Sequence, residues 1–245
     1  MSGLGLEPLG RSRATSDNEL FLLDGAERPL VVKVYRGKHA AERRLRELTR
    51  LSAWRAAGCT VPAVHDLVVS DLPGPYLVFE YVAGSSLRQR LCSPKFCLTA
   101  RLELSQAVLH CVRRRHELAV ARGDAALIHP DANTGNIILR GDRIVWIDLE
   151  SPKRATSVLK AAACELGKLM RWMALDLGRG HLPALAERVA AVYAGLPGVP
   201  RELVKITHER PFQGWHRWRD RRRKAKAPEA VTKYDVADAL RDVGF

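Results

Sequence analysis

The chain has 245 residues, which is enough for one large domain or two small lobes, and it carries a formal net charge of +13. Such a charge favours anionic partners, namely nucleotide phosphates, nucleic acid or an acidic membrane surface, although an Arg-rich composition is also typical of a GC-rich genome. The first thirty residues lack the apolar core of a signal peptide, and no apolar run approaches the roughly 20 residues of a membrane span, so we expect a cytoplasmic protein.

The five cysteines are odd in number and form no C-x-x-C pair. This spacing argues against a disulfide framework and against a zinc site. We expect most of the cysteines to be small buried hydrophobic residues.

Alternating apolar residues predict short strands in the first third of the chain. Two strands are expected between Leu6 and Leu23, around a turn at 10–14, and a third is expected at 29–35 with Lys33 in its middle. Residues 40–57 have helical spacing, and the glycine that follows is a good helix terminator. The apolar segment at 76–82 predicts a strand that leads into a hinge.

Beyond the hinge the periodicity is mostly helical. Helices are expected at 99–120, 156–177, 182–194 and 228–243. This pattern predicts an α+β fold with two lobes, a β-rich N-lobe at 1–82 and a mostly helical C-lobe at 83–245.

Polar residues between these helices have the spacing H-x-D-x-x-x-x-N, followed by an apolar strand that ends in a second Asp. Phosphoryl transfer requires an aligned nucleophile and neutralised phosphate charge rather than covalent help from the protein. Asp131 is the candidate catalytic base, and His129 is expected to support the loop. Asn136 and Asp148 offer the oxygen ligands that Mg²⁺ prefers, and Lys33 would reach the α- and β-phosphates of ATP.

Each of these residues also has a simpler interpretation. Lys33 alone could be a solvated lysine of an edge strand, Asp148 a helix cap and Asn136 a turn residue. Their joint occurrence in this order, with an acidic helix after the lysine strand, favours the catalytic interpretation.

With these motifs the chain resembles the protein-kinase-like superfamily, in particular its small atypical members. Residues 47–51 and 57–62 are similar to an E-x-x-x-L…A-G-x-x-V-P segment of the lipopolysaccharide Kdo and heptose kinases and of the RIO-like, tRNA-modification-associated kinases. The resemblance covers about residues 5–175. It implies a two-lobed kinase-like fold whose N-lobe at 1–82 binds nucleotide, Glu47 as the partner of Lys33, and adenine bound by the Glu80 carbonyl and the Val82 amide.

At several positions the sequence differs from the protein-kinase pattern, and these positions bear on which acceptor is phosphorylated. Asn133 stands where regulated protein kinases have a lysine, and the D-x-N-x-x-N run resembles Kdo kinases, so Asn133 is a candidate substrate contact. Glu150 replaces the glycine of Asp-Phe-Gly and is expected either to contact metal or substrate or to be a solvated loop acid. Lys153 and Arg154 are candidate contacts to an acidic substrate. The short segment after Glu150 leaves no room for an activation segment, which argues against switching by loop phosphorylation.

The phosphate-covering loop is the weakest match, because the turn at 10–14 holds a single glycine. Gly10, Arg11 and Ser12 are the candidate phosphate contacts, through backbone amides and arginine charge. If they fail in that role, a degraded nucleotide site and a pseudokinase is the alternative.

A basic segment rich in aromatic residues follows at 212–226. It suits an anionic membrane surface, RNA, or simply a solvated basic helix whose tryptophans pack against the lobe.

We therefore expect an ATP- and Mg²⁺-dependent phosphotransferase whose acceptor is a sugar hydroxyl of lipopolysaccharide core, on an anionic glycolipid at the inner face of the membrane. One alternative is an atypical serine/threonine protein kinase or ATPase of an RNA-processing assembly. Another is a small-molecule kinase similar to aminoglycoside phosphotransferases.

Overall fold

A computed structural model describes residues 6–11, 18–23, 28–70, 72, 74–152, 157–209 and 211–245. The chain forms two compact units. The first comprises Met1–Gly84 and Arg140–Pro152, and the second comprises Ser85–Leu139 and Lys153–Phe245. The first is built on a β-sheet and the second is mostly helical, which confirms the predicted α+β class.

An antiparallel five-stranded sheet forms the body of the first unit, in the order β1-β2-β3-β5-β4. Its strands are β1 (Leu6–Arg11), β2 (Glu19–Leu23), β3 (Leu30–Val34), β4 (Val64–His65) and β5 (Tyr76–Glu80). Helix α1 spans Ala40–Ala56. β-Branched residues of β3 and β5, such as Val32, Val34 and Val78, lie in a buried cluster with Leu23 and Val69. The sheet therefore has the apolar face that the alternating pattern predicts.

Strand β8 (Arg143–Trp146) and the residues after it cluster with the first unit, whereas the expected division after residue 82 put them in the second. The Trp146 amide donates to the Thr60 carbonyl (3.1 Å), and the Trp54 and Trp146 rings lie edge to face with centroids 6.0 Å apart. These contacts join residues that are far apart in the chain, so local sequence patterns did not predict them.

In the second unit, the short strand β6 (Ser85–Ser86) pairs with β7 (Ile137–Arg140) through Ser85 opposite Leu139 and Ser86 opposite Ile138. The helices are α2 (Leu87–Cys92), α3 (Leu98–Arg122), α4 (Val158–Leu177), α5 (Leu182–Tyr193), α6 (Gly198–His208), α7 (Gln213–Lys226) and α8 (Lys233–Asp242). Helix α4 is buried along most of its length, and its Gly167 lies so close to α6 that an added Cβ would stand 2.8 Å from Leu203 Cδ1. Helix α4 is therefore the central element of this unit.

The predicted long helices correspond to α1, α3, α4, α5 and α8, while α2 and α6 were not predicted from the sequence. The expectation that most cysteines are buried is wrong. Cys92, Cys97, Cys111 and Cys164 are exposed, and Cys59 is half-buried, because these positions fall at helix ends or on outward faces.

Candidate active site

A buried lysine holds three carboxylates together in the first unit. Strand β3 directs Lys33 inward, where its Nζ lies 2.8 Å from Glu47 Oε2 on α1, 2.7 Å from Asp148 Oδ1 and 3.3 Å from Glu150 Oε2. Only 7% of the Lys33 surface is exposed. The interpretation of Lys33 as a solvated edge lysine is therefore wrong, and β3 is an inner strand between β2 and β5.

Opposing electrostatic effects fix the charges of this cluster. Burial lowers the pKa of Lys33, but the charges of Glu47, Asp148 and Glu150 outweigh it and hold that pKa well above its ordinary value. Burial raises the pKa of Glu47, against the effect of Lys33. Glu47 also accepts hydrogen bonds from the Tyr35 hydroxyl (2.6 Å) and the Leu149 amide (3.2 Å). These donors compensate the buried carboxylate and fix the orientation of its oxygens.

Asp148 has a positive backbone φ of 64°, which is uncommon for any residue other than glycine. Such a conformation costs on the order of 1–3 kcal/mol and persists only where the surroundings impose it. Here the Arg50 guanidinium donates to the carbonyls of Leu149 and Ser151, each at 2.5 Å, and so holds the backbone just beyond Asp148. The strained backbone aims the Asp148 carboxylate at the Lys33 ammonium.

Glu150 belongs to the same cluster and is only 5% exposed. Its Oε2 accepts a hydrogen bond from Asn18 Nδ2 (2.8 Å) in addition to the contact with Lys33. The alternative of a solvated loop acid is therefore wrong. Asn18 was not recognised in the sequence, because a lone Asn before a strand carries no signal of this contact.

Three carboxylates lie close together in this cluster, but only one of them is open to a divalent cation. One oxygen each of Glu47, Asp148 and Glu150 lies within 4.8 Å of the others. Hard oxygen donors are the ligands that Mg²⁺ selects. The Asp148 side chain is 34% exposed, whereas those of Glu47 and Glu150 are buried. Asp148 is thus the carboxylate that an incoming ion can reach.

The second unit contains the loop with Asp131, and hydrogen bonds between residues of the loop hold its backbone. The Asp131 amide donates to His129 Nδ1 (3.1 Å), which agrees with a structural role for that histidine. Asn136 Nδ2 donates to the Asp131 carbonyl (3.1 Å), so this contact leaves out the side-chain oxygen, whose binding of a metal stays a prediction. Asn133 Oδ1 accepts from the amides of Gly135 (2.9 Å) and Asn136 (3.2 Å), and its Nδ2 donates to the Asp131 carbonyl (3.2 Å). These contacts give Asn133 a structural task in the loop, while its contact with substrate stays a prediction.

Helix α4 fixes this loop at three points. Glu165 Oε2 accepts from the His129 amide (2.9 Å), Lys168 Nζ donates to the Pro130 carbonyl, and Asp176 accepts from the Thr134 hydroxyl. Lys168 Nζ also lies 3.8 Å from Asp131 Oδ1. Sequence reasoning missed these residues, although polar side chains within an otherwise buried, apolar helix were a usable signal.

Glu165 is the centre of a fully buried polar network. It pairs bidentately with Arg115 and contacts His116 Nε2 (3.1 Å), whose Nδ1 lies 3.0 Å from the Tyr193 hydroxyl. These partners assign Nε2–H as the donor to Glu165 and Nδ1 as the acceptor from Tyr193. Burial raises the pKa of Glu165, but Arg115 and His116 outweigh it and hold that pKa far below its usual range, whereas burial lowers the pKa of His116.

The predicted phosphate contacts Gly10 and Arg11 lie in a strand, and their contact with nucleotide stays a prediction. Gly10 and Arg11 belong to strand β1, opposite Leu20 and Glu19, rather than to the turn that was expected there. The reason is that β1 continues to pair with β2 after a register shift between Pro8 and Gly10. Ser12, Lys153 and Arg154 fall outside the described residues.

The predicted adenine contacts lie at the end of β5. Glu80 is the last residue of that strand, its amide donates to the Ala63 carbonyl (2.8 Å), and its carboxylate pairs with Arg140. Val82 follows in the connecting segment. The binding of adenine by the Glu80 carbonyl and the Val82 amide stays a prediction.

The basic segment forms helix α7, which has two different faces. Trp215, Trp218, Arg219 and Arg222 recur at the spacing of one helical face and are all exposed. The Arg219 guanidinium lies 4.9 Å from the Trp215 ring centroid, and that of Arg222 lies 4.7 Å from Trp218. On the other face, Arg217 contacts His208 Nδ1 (3.1 Å) of α6. The tryptophans therefore point to solvent and are not part of the core.

Comparison with known proteins agrees with this fold. A model of the phosphotransferase enzyme family (APH) matches residues 11–100. The chain is 30% identical over 107 residues to the KEOPS complex subunit Bud32 of Pyrococcus abyssi (strain GE5 / Orsay), a match that spans 44% of this chain and 43% of that protein.

Two solved structures share the fold. A structure of WaaP in complex with acyl carrier protein matches with a TM-score of 0.53 and 19% identity, over 89% of this chain and 88% of that one. An aminoglycoside-3'-phosphotransferase of type VIII matches with a TM-score of 0.51 and 19% identity, over 96% of this chain and 94% of that one.

The solved structures thus define the class of the fold, which is the predicted kinase-like fold. More particularly, the sequence is similar to the phosphotransferase enzyme family (APH) and to Bud32, and each of these similarities extends over less than half of the chain.

Proposed function

We propose that this protein is an ATP- and Mg²⁺-dependent phosphotransferase that phosphorylates a sugar hydroxyl of lipopolysaccharide core. The observation that carries the proposal is the Lys33 ammonium, buried and held at 2.8 Å from Glu47 and 2.7 Å from Asp148. A lysine kept charged and oriented in this way suits the α- and β-phosphates of ATP.

In the proposed mechanism each residue has one task. Lys33 binds the phosphates, and Glu47 fixes the direction of its ammonium. Asp148 and Asn136 would hold Mg²⁺, which when bound neutralises charge on the β- and γ-phosphates. Asp131 accepts the hydrogen bond of the acceptor hydroxyl and orients that oxygen for in-line attack.

The acceptor is proposed from sequence motifs. The D-x-N-x-x-N run and the A-G-x-x-V-P segment resemble Kdo and heptose kinases. The sequence match to Bud32 favours a second candidate, an atypical serine/threonine kinase or ATPase of an RNA-processing assembly. The match to the APH family model favours a third, a small-molecule kinase.

A transfer assay with γ-labelled ATP and Mg²⁺ separates these candidates. We expect label in isolated lipopolysaccharide core and none in aminoglycosides, casein or the protein itself. Lys33→Arg tests the role of the lysine. It keeps the positive charge among the buried carboxylates but replaces the compact ammonium by a larger, planar guanidinium group. It should lower transfer by roughly a hundredfold, as expected when an oriented charge is misplaced. Label in protein with none in any glycolipid would reject the proposed acceptor.

The proposal includes peripheral attachment to an anionic membrane surface through α7. No helix within the described ranges is long and apolar enough to cross a bilayer. The Trp and Arg side chains of the outer face suit headgroup depth and lipid phosphates, and Asp220 is the one acid in the sequence of α7.

Flotation with vesicles tests this attachment. We expect the protein to float with equimolar phosphatidylcholine and phosphatidylglycerol, and not with phosphatidylcholine alone. The variant Trp215→Ala/Trp218→Ala should lose this binding, while Trp172→Ala, which removes an exposed tryptophan of α4, should keep it. Binding of single-stranded RNA that depends on Trp215 and Trp218, without any flotation, would assign α7 to RNA instead.

A further inference from the structure

A cationic cavity of about 460 Å³ lies within the second unit, between α4, α6 and the start of α8. Its cationic lining side chains are Lys160, Lys168, Arg171, Lys205 and Lys233, against one acid, Glu209. Gly167, Leu203 and Ile206 contribute apolar surface. None of the motifs considered above pointed to this cavity.

The cations are arranged by helix geometry. Lys160, Cys164, Lys168 and Arg171 follow one another at intervals of three or four residues, so one stripe of α4 faces the cavity. Lys205 is an exposed residue of α6. Arg171 is held by its donation to the Val231 carbonyl (3.1 Å), and the Lys233 ammonium lies 4.8 Å from the Tyr234 ring centroid. Positive charge is therefore concentrated on a concave surface with fixed walls, which focuses its field on an anion.

Lys168 links this cavity to the catalytic loop. Its Nζ donates to the Pro130 carbonyl and lies 3.8 Å from Asp131 Oδ1, while the residue also lines the cavity. An anionic group that contacts Lys168 in the cavity would therefore be linked to Asp131 through that side chain. A hydroxyl on the same molecule could then reach the Asp131 carboxylate.

We propose that this cavity is the acceptor subsite, and that the acceptor carries a phosphate or carboxylate group in addition to the hydroxyl that is phosphorylated. The proposal rests on the proposed kinase function for the role of Asp131, but the anion site itself does not. The same charges repel a cationic acceptor such as an aminoglycoside. The cavity thus favours acidic sugars over the other small-molecule acceptors.

Cys164 provides a test that needs no catalysis, because this exposed thiol lies in the cavity wall. Alkylation by iodoacetamide is followed peptide by peptide by mass spectrometry, with Cys97, which is exposed outside the cavity, as internal control. Glucose 6-phosphate should slow the alkylation of Cys164 and leave Cys97 unchanged. Glucose and kanamycin should protect neither thiol.

Lys160→Gln/Lys205→Gln is the decisive variant, since both side chains are exposed and neither lies in the catalytic loop. It should abolish the protection of Cys164 and raise the KM for an anionic acceptor at least about tenfold, as expected for the loss of two charge-assisted contacts. The kcat and the affinity for Mg·ATP should stay unchanged. Arg114→Gln/Arg122→Gln on α3 removes the same charge outside the cavity and should behave as wild type.

The two proposals can fail separately. The assignment of the cavity as the acceptor subsite would be refuted if Cys164 is not protected and Lys160→Gln/Lys205→Gln transfers phosphate to an acidic sugar with an unchanged KM. That result would leave the kinase function intact. Protection of Cys164 that depends on Lys160 and Lys205, without transfer to any acceptor, would keep the anion site and reject the kinase function.

Discussion

Asp131→Asn should lower the rate of phosphoryl transfer by roughly a hundred- to ten-thousandfold, the usual contribution of a positioned acid–base group. The asparagine has nearly the same shape, and it keeps the backbone contacts of the loop with His129, Asn133 and Asn136. Only the carboxylate that would accept the hydroxyl proton is lost. The loss should therefore appear in kcat, measured under saturating Mg·ATP, and not in the melting temperature.

The affinity for Mg·ATP separates the role of Asp131 from that of the metal ligands. Calorimetric titration should give the same Kd for Asp131→Asn as for the wild type. Asp148→Ala and Asn136→Ala should weaken Mg·ATP binding as well as transfer, since they remove oxygen ligands. Normal turnover by Asp131→Asn would remove that residue from the mechanism, and normal turnover by Asp148→Ala would refute the metal assignment.

The lysine cluster shows what spacing along the chain can predict. Lys33 was placed mid-strand by β-branched neighbours, and the motif register selected Glu47 on the following helix. The two side chains meet at 2.8 Å. Local periodicity predicted the strand and the helix. The family resemblance was needed to choose Glu47 as the partner of Lys33.

The remaining partners could not be predicted in this way. Asn18 and Glu150 are separated by 132 positions, and the Lys168 and Glu165 contacts with the catalytic loop depend on how α4 packs in the second unit. A polar residue in an apolar helix can face solvent or a buried partner, and sequence alone does not decide between them. For the same reason the cysteines were wrongly assigned to the core.

Glu165→Gln should be the most destabilising of the substitutions considered, with a loss of about 3–5 kcal/mol in the free energy of unfolding. Arg115 is only 3% exposed, and Glu165 is its carboxylate partner. A neutral amide leaves that guanidinium buried without a compensating charge. The total stability of a domain is typically about 5–15 kcal/mol, so the change should be plain in urea denaturation.

A second substitution shows whether the lost stability comes from the unpaired charge. Glu165→Gln/Arg115→Met removes both charges and should recover part of the loss, because replacing a whole buried pair is far less costly than breaking it. If the double variant is less stable than Glu165→Gln by the full cost of a second core substitution, the buried charge is not the cause. Arg113→Gln, beside a partly exposed Glu117, is the matched control and should change stability by less than about 1 kcal/mol.

The pH dependence follows from the pKa directions of the same network. Burial lowers the pKa of His116 in the folded state, so the unfolded chain takes up a proton below about pH 6.5 that the folded chain does not. The folded pKa of Glu165 is also lowered, so a second proton favours the unfolded chain below about pH 4.3. Both effects have the same sign: the network stabilises the fold at neutral pH and that contribution is lost as the pH falls. Glu165→Gln lacks the second titration, so below about pH 4.3 its stability should fall less steeply than that of the wild type.

Because Glu165 also accepts the hydrogen bond of the His129 amide, the variant should lose catalytic-loop order in hydrogen exchange at pH values where it is still folded.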